Sequence, residues 1–138
     1  MSVSALVMLG AILLLVAGLW FSARDVSASM KKPTARAKVL GNCGDTMELG
    51  LTIVGDRVTK VECESDGCRV SQKCIEAAAL LSRGKTVPEL ETINMMNIID
   101  AVGEIPDDHL HCAQLAETTL RYALKSHRSG KMETATGM

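Results

Sequence analysis

The sequence is short of aromatic residues and of basic stripes. Its 138 residues include one Trp, one Tyr and one Phe. Proteins that bind nucleic acid use a basic surface against phosphates and aromatic rings against bases. The part of the chain after Lys38 has neither, because its net charge is −5 and Tyr122 is its single aromatic residue. We therefore expect no nucleic-acid partner.

Charge is absent from Met1–Phe21. Residues 3–21 form an apolar run of 19 residues, which at 1.5 Å per residue matches the thickness of a bilayer core of about 30 Å. Trp20 and Phe21 end the run, where aromatic rings favour the membrane interface. The sequence predicts a transmembrane anchor over residues 1–22 that joins the chain to a membrane through residues 3–21.

Basic residues follow the apolar run and none precedes it. They lie in or just after a polar segment over residues 23–34, which we interpret as a juxtamembrane linker. The positive-inside rule then predicts a single-pass membrane protein with its C-terminal domain facing the cytoplasm. A cleavable signal peptide, processed near Val26-Ser27-Ala28, is the alternative. It is disfavoured because the apolar run is long for such a peptide and lacks a preceding Lys or Arg.

The five cysteines do not form C-x-x-C pairs. This excludes the usual patterns of a zinc ribbon and of a thioredoxin-like redox site. An odd number of cysteines in a cytoplasmic domain favours metal or sulfur chemistry over disulfide bonds.

The periodicity changes from strand-like to helix-like along the chain. Alternating apolar residues, with Gly55-Asp56 at a turn, predict three strands over residues 35–40, 46–54 and 57–64. A helix is then predicted from about Asp66 to Gly84.

Further helix signals follow. We expect a short helix opening at Thr86, another capped by Asn97, and a last one capped by Asp107 or Asp108. The fold class is α+β, with a small three-stranded antiparallel sheet packed against three or four helices over residues 35–128. Residues 129–138 are predicted to form a disordered tail.

Three cysteines have settings suited to chemistry. Cys43 lies in a glycine-flanked loop, Cys68 follows Gly67 at the start of a helix, and Cys112 lies in the first turn of the last helix. A helix N-terminus stabilises negative charge and lowers the pKa of a thiol. We therefore expect Cys68 and Cys112 to be thiolates near neutral pH, the form that binds metal and accepts sulfur.

Three sequence blocks, GNCGDTMELGL, DGCRVSQKC and HCAQLAETTL, occur in this order and spacing. Together they resemble the IscU/NifU-type iron-sulfur cluster assembly scaffold over about Ala35 to Lys125. The resemblance implies an α+β scaffold that binds iron and sulfide as a transient [2Fe-2S] cluster, or zinc when the cluster is absent. The residues that match the family's ligands are Cys43, Cys68 and Cys112, with Asp45 or His111 as the fourth.

The resemblance also implies partners and roles. Cys112, beside His111, matches the position that receives persulfide sulfur from a cysteine desulfurase, and acceptor apoproteins would take the finished cluster. An exchangeable oxygen ligand holds a cluster less firmly than a fourth thiolate does, so Asp45 is expected to permit cluster release.

The chain departs from the family in three places. The usual N-terminal helix is replaced by the apolar segment. The Pro-Pro-Val-Lys stretch that some members present to an Hsp70-type chaperone is replaced by Ile105-Pro106-Asp107-Asp108-His109, so no chaperone dependence is expected. Arg69 stands where the family commonly has a glycine after the second cysteine. Cys63 and Cys74 are not among the matched ligands, and we interpret both as packing residues.

The expected function is a non-enzymatic scaffold that binds iron and sulfide through three thiolates and transfers the cluster. Two alternatives use the same ligands. One is a zinc-dependent sulfurtransferase-like protein that accepts persulfide sulfur. The other is a domain that binds structural zinc.

Overall fold

The computed structural model describes residues 3–29, 32–130 and 133–136. The chain divides into two compact units, Met1–Lys32 and Pro33–Met138. The first unit contains helix α1, Val3–Ser29. Within it, the 18 residues Val3–Trp20 have a mean hydropathy of 2.5, so their length and composition would allow them to cross a membrane. A signal sequence satisfies the same criterion.

Helix α1 continues beyond the segment predicted to be an anchor. Residues 23–29, interpreted from the sequence as linker, are helical. The cause is local, since Ala23, Arg24 and Ala28 favour a helix and no Gly or Pro follows until Pro33.

The second unit is an α+β domain, as predicted. Strands β1 (Ala35–Leu40), β2 (Thr46–Val54) and β3 (Arg57–Ser65) form an antiparallel meander. Helices α2 (Arg69–Ser82), α3 (Val87–Glu91), α4 (Met95–Val102) and α5 (Leu110–Ser129) follow, with a 3₁₀ turn at Asp107–His109 before α5. Helix α5 packs on β1 and helix α2 on β3, so one face of the sheet is covered by helices.

The sheet has a fourth strand that the sequence did not predict. Strand β4 (Glu133–Thr136) pairs in parallel with β1, giving the order β3-β2-β1-β4. Disorder was expected here. The expectation missed the strand because a stretch of Glu, Thr and Ala has no alternation of apolar and polar residues. The sheet is therefore mixed rather than purely antiparallel.

The core lies between the sheet and the helices. Alternate strand residues face the helices and are buried: Ala35, Ala37, Val39, Met47, Leu49, Leu51 and Ile53. Helix α5 contributes a stripe of small and apolar residues: Cys112, Ala113, Leu115, Ala116, Leu120, Ala123 and Leu124. Cys112 thus occupies a core-facing position at the end of α5 that is nearest to the β1–β2 loop.

Two predicted caps are displaced. His109, and not Asp107 or Asp108, is the N-cap of α5, and its side chain makes no capping hydrogen bond. Asn94, and not Asn97, caps α4, since its side chain accepts from the N–H groups of Met96 and Asn97. Asn97 instead reaches back to the N–H of Asn94 at 3.0 Å, which completes a capping box.

Candidate metal centre

The loop between β1 and β2 positions Asp45. The N–H of Gly41 donates to the carbonyl of Asp45 at 2.9 Å, and the N–H of Gly44 donates to the carbonyl of Gly41 at 3.0 Å. Gly44 has a φ of +87°, a conformation that favours glycine. The loop is thereby closed tightly.

The segment that enters α2 is tied to the same loop. The N–H of Thr46 donates to the Asp66 carboxylate at 2.7 Å, and the N–H of Asp66 donates to the carbonyl of Thr46 at 3.2 Å. This reciprocal pair holds Gly67 and Cys68 against Asp45, although these residues are far apart in sequence.

Cys68 is the N-cap of α2. Its backbone is extended and its sulfur accepts from the N–H of Ser71 at 3.5 Å. The thiol is exposed. Hydrogen bonding, first from the Ser71 hydroxyl and then from the Ser71 backbone, lowers the pKa of Cys68. The prediction of a lowered pKa is therefore confirmed for this residue.

Cys112 behaves differently. It lies in the first turn of α5 but is fully buried. Burial raises the pKa of the Cys112 thiol, and the negative charge of Cys68 adds to the rise although the Ser71 hydrogen bond opposes it. The prediction of a lowered pKa is wrong for Cys112, because desolvation outweighs the helix N-terminus at a core-facing position.

Three donor atoms converge at this point. The carboxylate of Asp45 and the sulfurs of Cys68 and Cys112 all lie within 4.8 Å of one another. Sulfur ligands about 2.3 Å from a tetrahedral metal are themselves about 3.8 Å apart, so a small adjustment would let one ion contact all three. Thiolate and carboxylate together suit zinc or iron.

Two of the predicted ligands lie beside this group. Cys43 is exposed and lines an open cleft of about 410 Å³ together with His111, Gly41, Asn42, Gln114 and Leu115. The Nε2 atom of His111 lies 3.5 Å from the sulfur of Cys112. Cys43 and His111 thus share this cleft, but neither belongs to the group of three converging donors.

Ser71 was not predicted from the sequence. It is buried, and its hydroxyl donates to the Asp45 carboxylate and lies 3.2 Å from the Cys112 sulfur. One signal was available, since Ser71 is three residues after Cys68 and thus lies on the same side of α2.

The two remaining cysteines differ from each other. Cys74 is fully buried on α2, as expected, and burial raises its pKa to about 11. Cys63 was expected to pack in the core but is exposed. Cys63 lies on β3, an edge strand in which Val58 is the buried residue and the others are half-buried or exposed.

The fold and the donors together define a class of protein, a small α+β domain in which two cysteine sulfurs and a carboxylate form a candidate metal site at the junction of a loop and two helices. Residues 24–134 match the family model described as NifU-like N terminal domain. The chain belongs to this family, which confirms the resemblance drawn from the three sequence blocks.

The curated relatives that the chain resembles are named for iron-sulfur cluster assembly. The chain is 27% identical over 93 residues to iron-sulfur cluster assembly scaffold protein IscU 1 of Archaeoglobus fulgidus, covering 66% of this chain and 61% of that protein. It is 30% identical over 87 residues to iron-sulfur cluster assembly protein IscU of Plasmodium falciparum, covering 63% and 53%. The chain thus spans less than two thirds of the length of these relatives.

Among solved structures, the chain is similar to a putative iron-sulfur cluster assembly scaffold protein for the SUF system from Fervidobacterium islandicum. The identity is 27%, the TM-score is 0.48, and the match covers 59% of this chain and 72% of that one.

Proposed function

We propose that this protein is a scaffold on which an iron-sulfur cluster is assembled and from which it passes to acceptor apoproteins, without turnover of its own. The observation that supports this most is the convergence of Asp45, Cys68 and Cys112 from three separate elements. Membership of the NifU-like family supports the same conclusion, and the curated relatives are named for cluster assembly.

The proposed ligands are Cys43, Cys68, Cys112 and Asp45. A [2Fe-2S] cluster takes four protein ligands, and the converging donors supply three. Cys43 lies two residues from Asp45 in the same glycine-flanked loop. A rotation of this loop would bring the Cys43 sulfur to the cluster as the fourth ligand. We place Asp45 ahead of His111 as the oxygen or nitrogen ligand, because its carboxylate belongs to the converging group. In the cluster-free protein, zinc would use the same donors.

Release of the proposed cluster would begin with the exchange of Asp45 for another ligand. A carboxylate exchanges more readily than a thiolate on iron, and it can also take up a proton as it leaves. An acceptor thiol would enter at the iron that Asp45 vacates. Asp45 is half-buried at the mouth of the site, where an acceptor can reach it.

We propose that sulfur comes from a cysteine desulfurase. A thiolate of the scaffold attacks the outer sulfur of the desulfurase persulfide; a new S–S bond forms, the donor S–S bond breaks, and the desulfurase leaves as a thiolate. Reduction of that sulfur to sulfide then takes two electrons from a dithiol or ferredoxin-type reductant. Cys112 remains the proposed final acceptor of the sulfur. Because Cys112 is buried, the sulfur must first be transferred to the exposed thiol of Cys68 or Cys43.

We propose that α1 anchors the protein in a membrane with the metal-binding domain on the cytoplasmic side. The apolar length of Val3–Trp20 supports the anchor, and the basic residues after it support the orientation. Clusters would then be handed over close to the membrane surface.

Anaerobic reconstitution of the full chain in detergent micelles tests the function. Ferrous iron, cysteine, a cysteine desulfurase and a dithiol reductant are supplied, and the visible spectrum, iron content and acid-labile sulfide are measured. We expect sulfide-to-iron charge-transfer absorbance with equal iron and sulfide, lost in Cys68→Ala and kept in the control Cys63→Ala. A chain that retains zinc and acquires no such absorbance would contradict the scaffold and favour the zinc-dependent alternatives.

A further inference from the structure

Ser71 occupies the centre of the three converging donors. It is the third residue of α2 and is fully buried. Its hydroxyl donates to the Asp45 carboxylate, and lies 3.2 Å from the sulfur of Cys112 and 3.5 Å from that of Cys68. One small side chain thus touches every member of the group.

The hydroxyl has one proton and two lone pairs. A carboxylate oxygen is a stronger acceptor than a sulfur atom, and charge-assisted hydrogen bonds are the stronger ones. While the thiols are neutral, the proton is therefore directed to Asp45, and it can turn to a sulfur that has become a thiolate.

The Asp45 side chain depends on this bond for its orientation. Its carbonyl is fixed by the N–H of Gly41, but that bond holds the backbone and leaves the side-chain torsions free. The Ser71 hydroxyl is the group that turns the carboxylate towards the two sulfurs. Partners that orient a metal ligand in this way commonly contribute 10-fold to 100-fold in affinity.

We infer that Ser71 is a positioning residue, which holds the Asp45 carboxylate beside Cys68 and Cys112 so that the metal-free site is already arranged for an ion. The inference deepens the proposed function and rests on it for its biological meaning. Its physical content, a site whose affinity for a single ion depends on Ser71 acting through Asp45, can be measured without any cluster.

The test uses Co²⁺ as a spectroscopic probe on the full chain. Its sulfur-to-cobalt absorbance reports thiolate ligation, and competition with a chelator gives the affinity. Four proteins form a cycle: wild type, Ser71→Ala, Asp45→Ala and the double variant. We expect Ser71→Ala to weaken Co²⁺ binding about 10-fold in the wild-type background and to have a clearly smaller effect when Asp45 is absent, where only the contacts of the hydroxyl with the two sulfurs remain.

A matched control lies on the same helix. Ser82 is also fully buried, and its hydroxyl donates to the carbonyl of Ala78 at 2.7 Å, inside α2. Ser82→Ala removes an equivalent buried hydroxyl away from the donors and is expected to leave Co²⁺ affinity unchanged. Circular dichroism confirms that each variant is folded.

Two results would overturn the inference. One is an unchanged affinity in Ser71→Ala. The other is an equal loss in both backgrounds, which would mean that the hydroxyl acts through the sulfurs of Cys68 and Cys112 or through packing. If Ser71→Ala does not fold, Ser71→Thr and Ser71→Val replace it, since these two side chains have the same shape and differ by the hydroxyl.

The Co²⁺ measurements and the cluster reconstitution can fail separately. If the four proteins bind Co²⁺ as expected but the cluster does not form, the scaffold function is refuted while the role of Ser71 stands.

Discussion

Gly67 lies directly against the carboxylate of Asp45. A methyl group built on its α-carbon would come 2.5 Å from both Cγ and Oδ2 of Asp45, which is closer than non-bonded atoms approach. Glycine is thus required here by the closeness of a neighbouring side chain, because only hydrogen fits between the backbone and the carboxylate.

Gly67→Ala is expected to displace the carboxylate of Asp45. The added methyl group would occupy the space of the Asp45 carboxylate. The Co²⁺ affinity should therefore fall by about 10-fold, as it does when a contact that orients a metal ligand is lost. Chelator competition measures the affinity. In an Asp45→Ala background the same change should cost little. An undiminished affinity in Gly67→Ala would show that the carboxylate does not contribute to ion binding.

Asp45→Ala is expected to slow cluster transfer. Without the carboxylate, the iron lacks its exchangeable ligand, so the cluster should persist longer in the presence of an apo-ferredoxin acceptor. The decay of donor absorbance and the gain of acceptor circular dichroism follow the transfer. Transfer kinetics equal to those of the wild type would count against Asp45 as the exchangeable ligand.

The cysteines should react with iodoacetamide at different rates. The exposed Cys68, whose pKa is lowered by Ser71, should be alkylated first and reach half its maximal rate at a pH below that of an ordinary thiol. The buried Cys112, whose pKa is raised, should react slowly. Mass spectrometry of peptides over time at several pH values makes the comparison. Faster labelling of Cys112 than of Cys68 would contradict the assigned environments.

Cys74→Ala should destabilise the domain by about 1 kcal/mol, because it empties a small buried volume. The difference in the free energy of unfolding between wild type and Cys74→Ala should depend on pH. The folded state raises the pKa of Cys74 to about 11, so the native state favours the neutral thiol.

The contribution of the Cys74 thiol is therefore complete below the unfolded pKa of about 8.5 and is lost as the pH rises towards 11. Urea unfolding of wild type and variant between pH 7 and pH 11 is expected to show their difference shrinking across this window. The Co²⁺ spectrum should not change, and a loss of sulfur-to-cobalt absorbance would instead make Cys74 a ligand.

A charge in the middle of α1 should release the chain from membranes. Leu13→Arg is expected to cost about 3 kcal/mol of insertion free energy. Fractionation followed by carbonate extraction measures the change, with Leu13→Ala as the control for side-chain loss. Retention of Leu13→Arg in the membrane pellet would contradict anchoring by α1.

Most of the strands and helices of the domain could be predicted from the sequence. The strand boundaries of β2 follow from the alternation of Leu49, Leu51 and Ile53 with more polar residues in the sequence, although the structure buries every residue from Leu49 to Ile53. Helix α2 follows from the change to a period near 3.6. Strand β4 could not be predicted in this way, because it pairs with β1 through backbone groups that any residue carries.

The site was harder to predict than the fold. Cys68 could be placed at a helix start from Gly67, but the burial of Cys112 needs the helical period of α5, in which Cys112 shares a face with Leu115, Ala116 and Thr119. The role of Ser71 depends on a contact across 26 positions of sequence with Asp45. No local pattern encodes such a contact.

The three converging donors come from the β1–β2 loop, the start of α2 and the start of α5. An ion held by all of them would link these elements as a covalent cross-link does, and its binding free energy would add to that of folding. A loaded protein should therefore be stiffer and melt at a higher temperature than an empty one. Loss of the ion would remove this link between the three elements and loosen the start of α5.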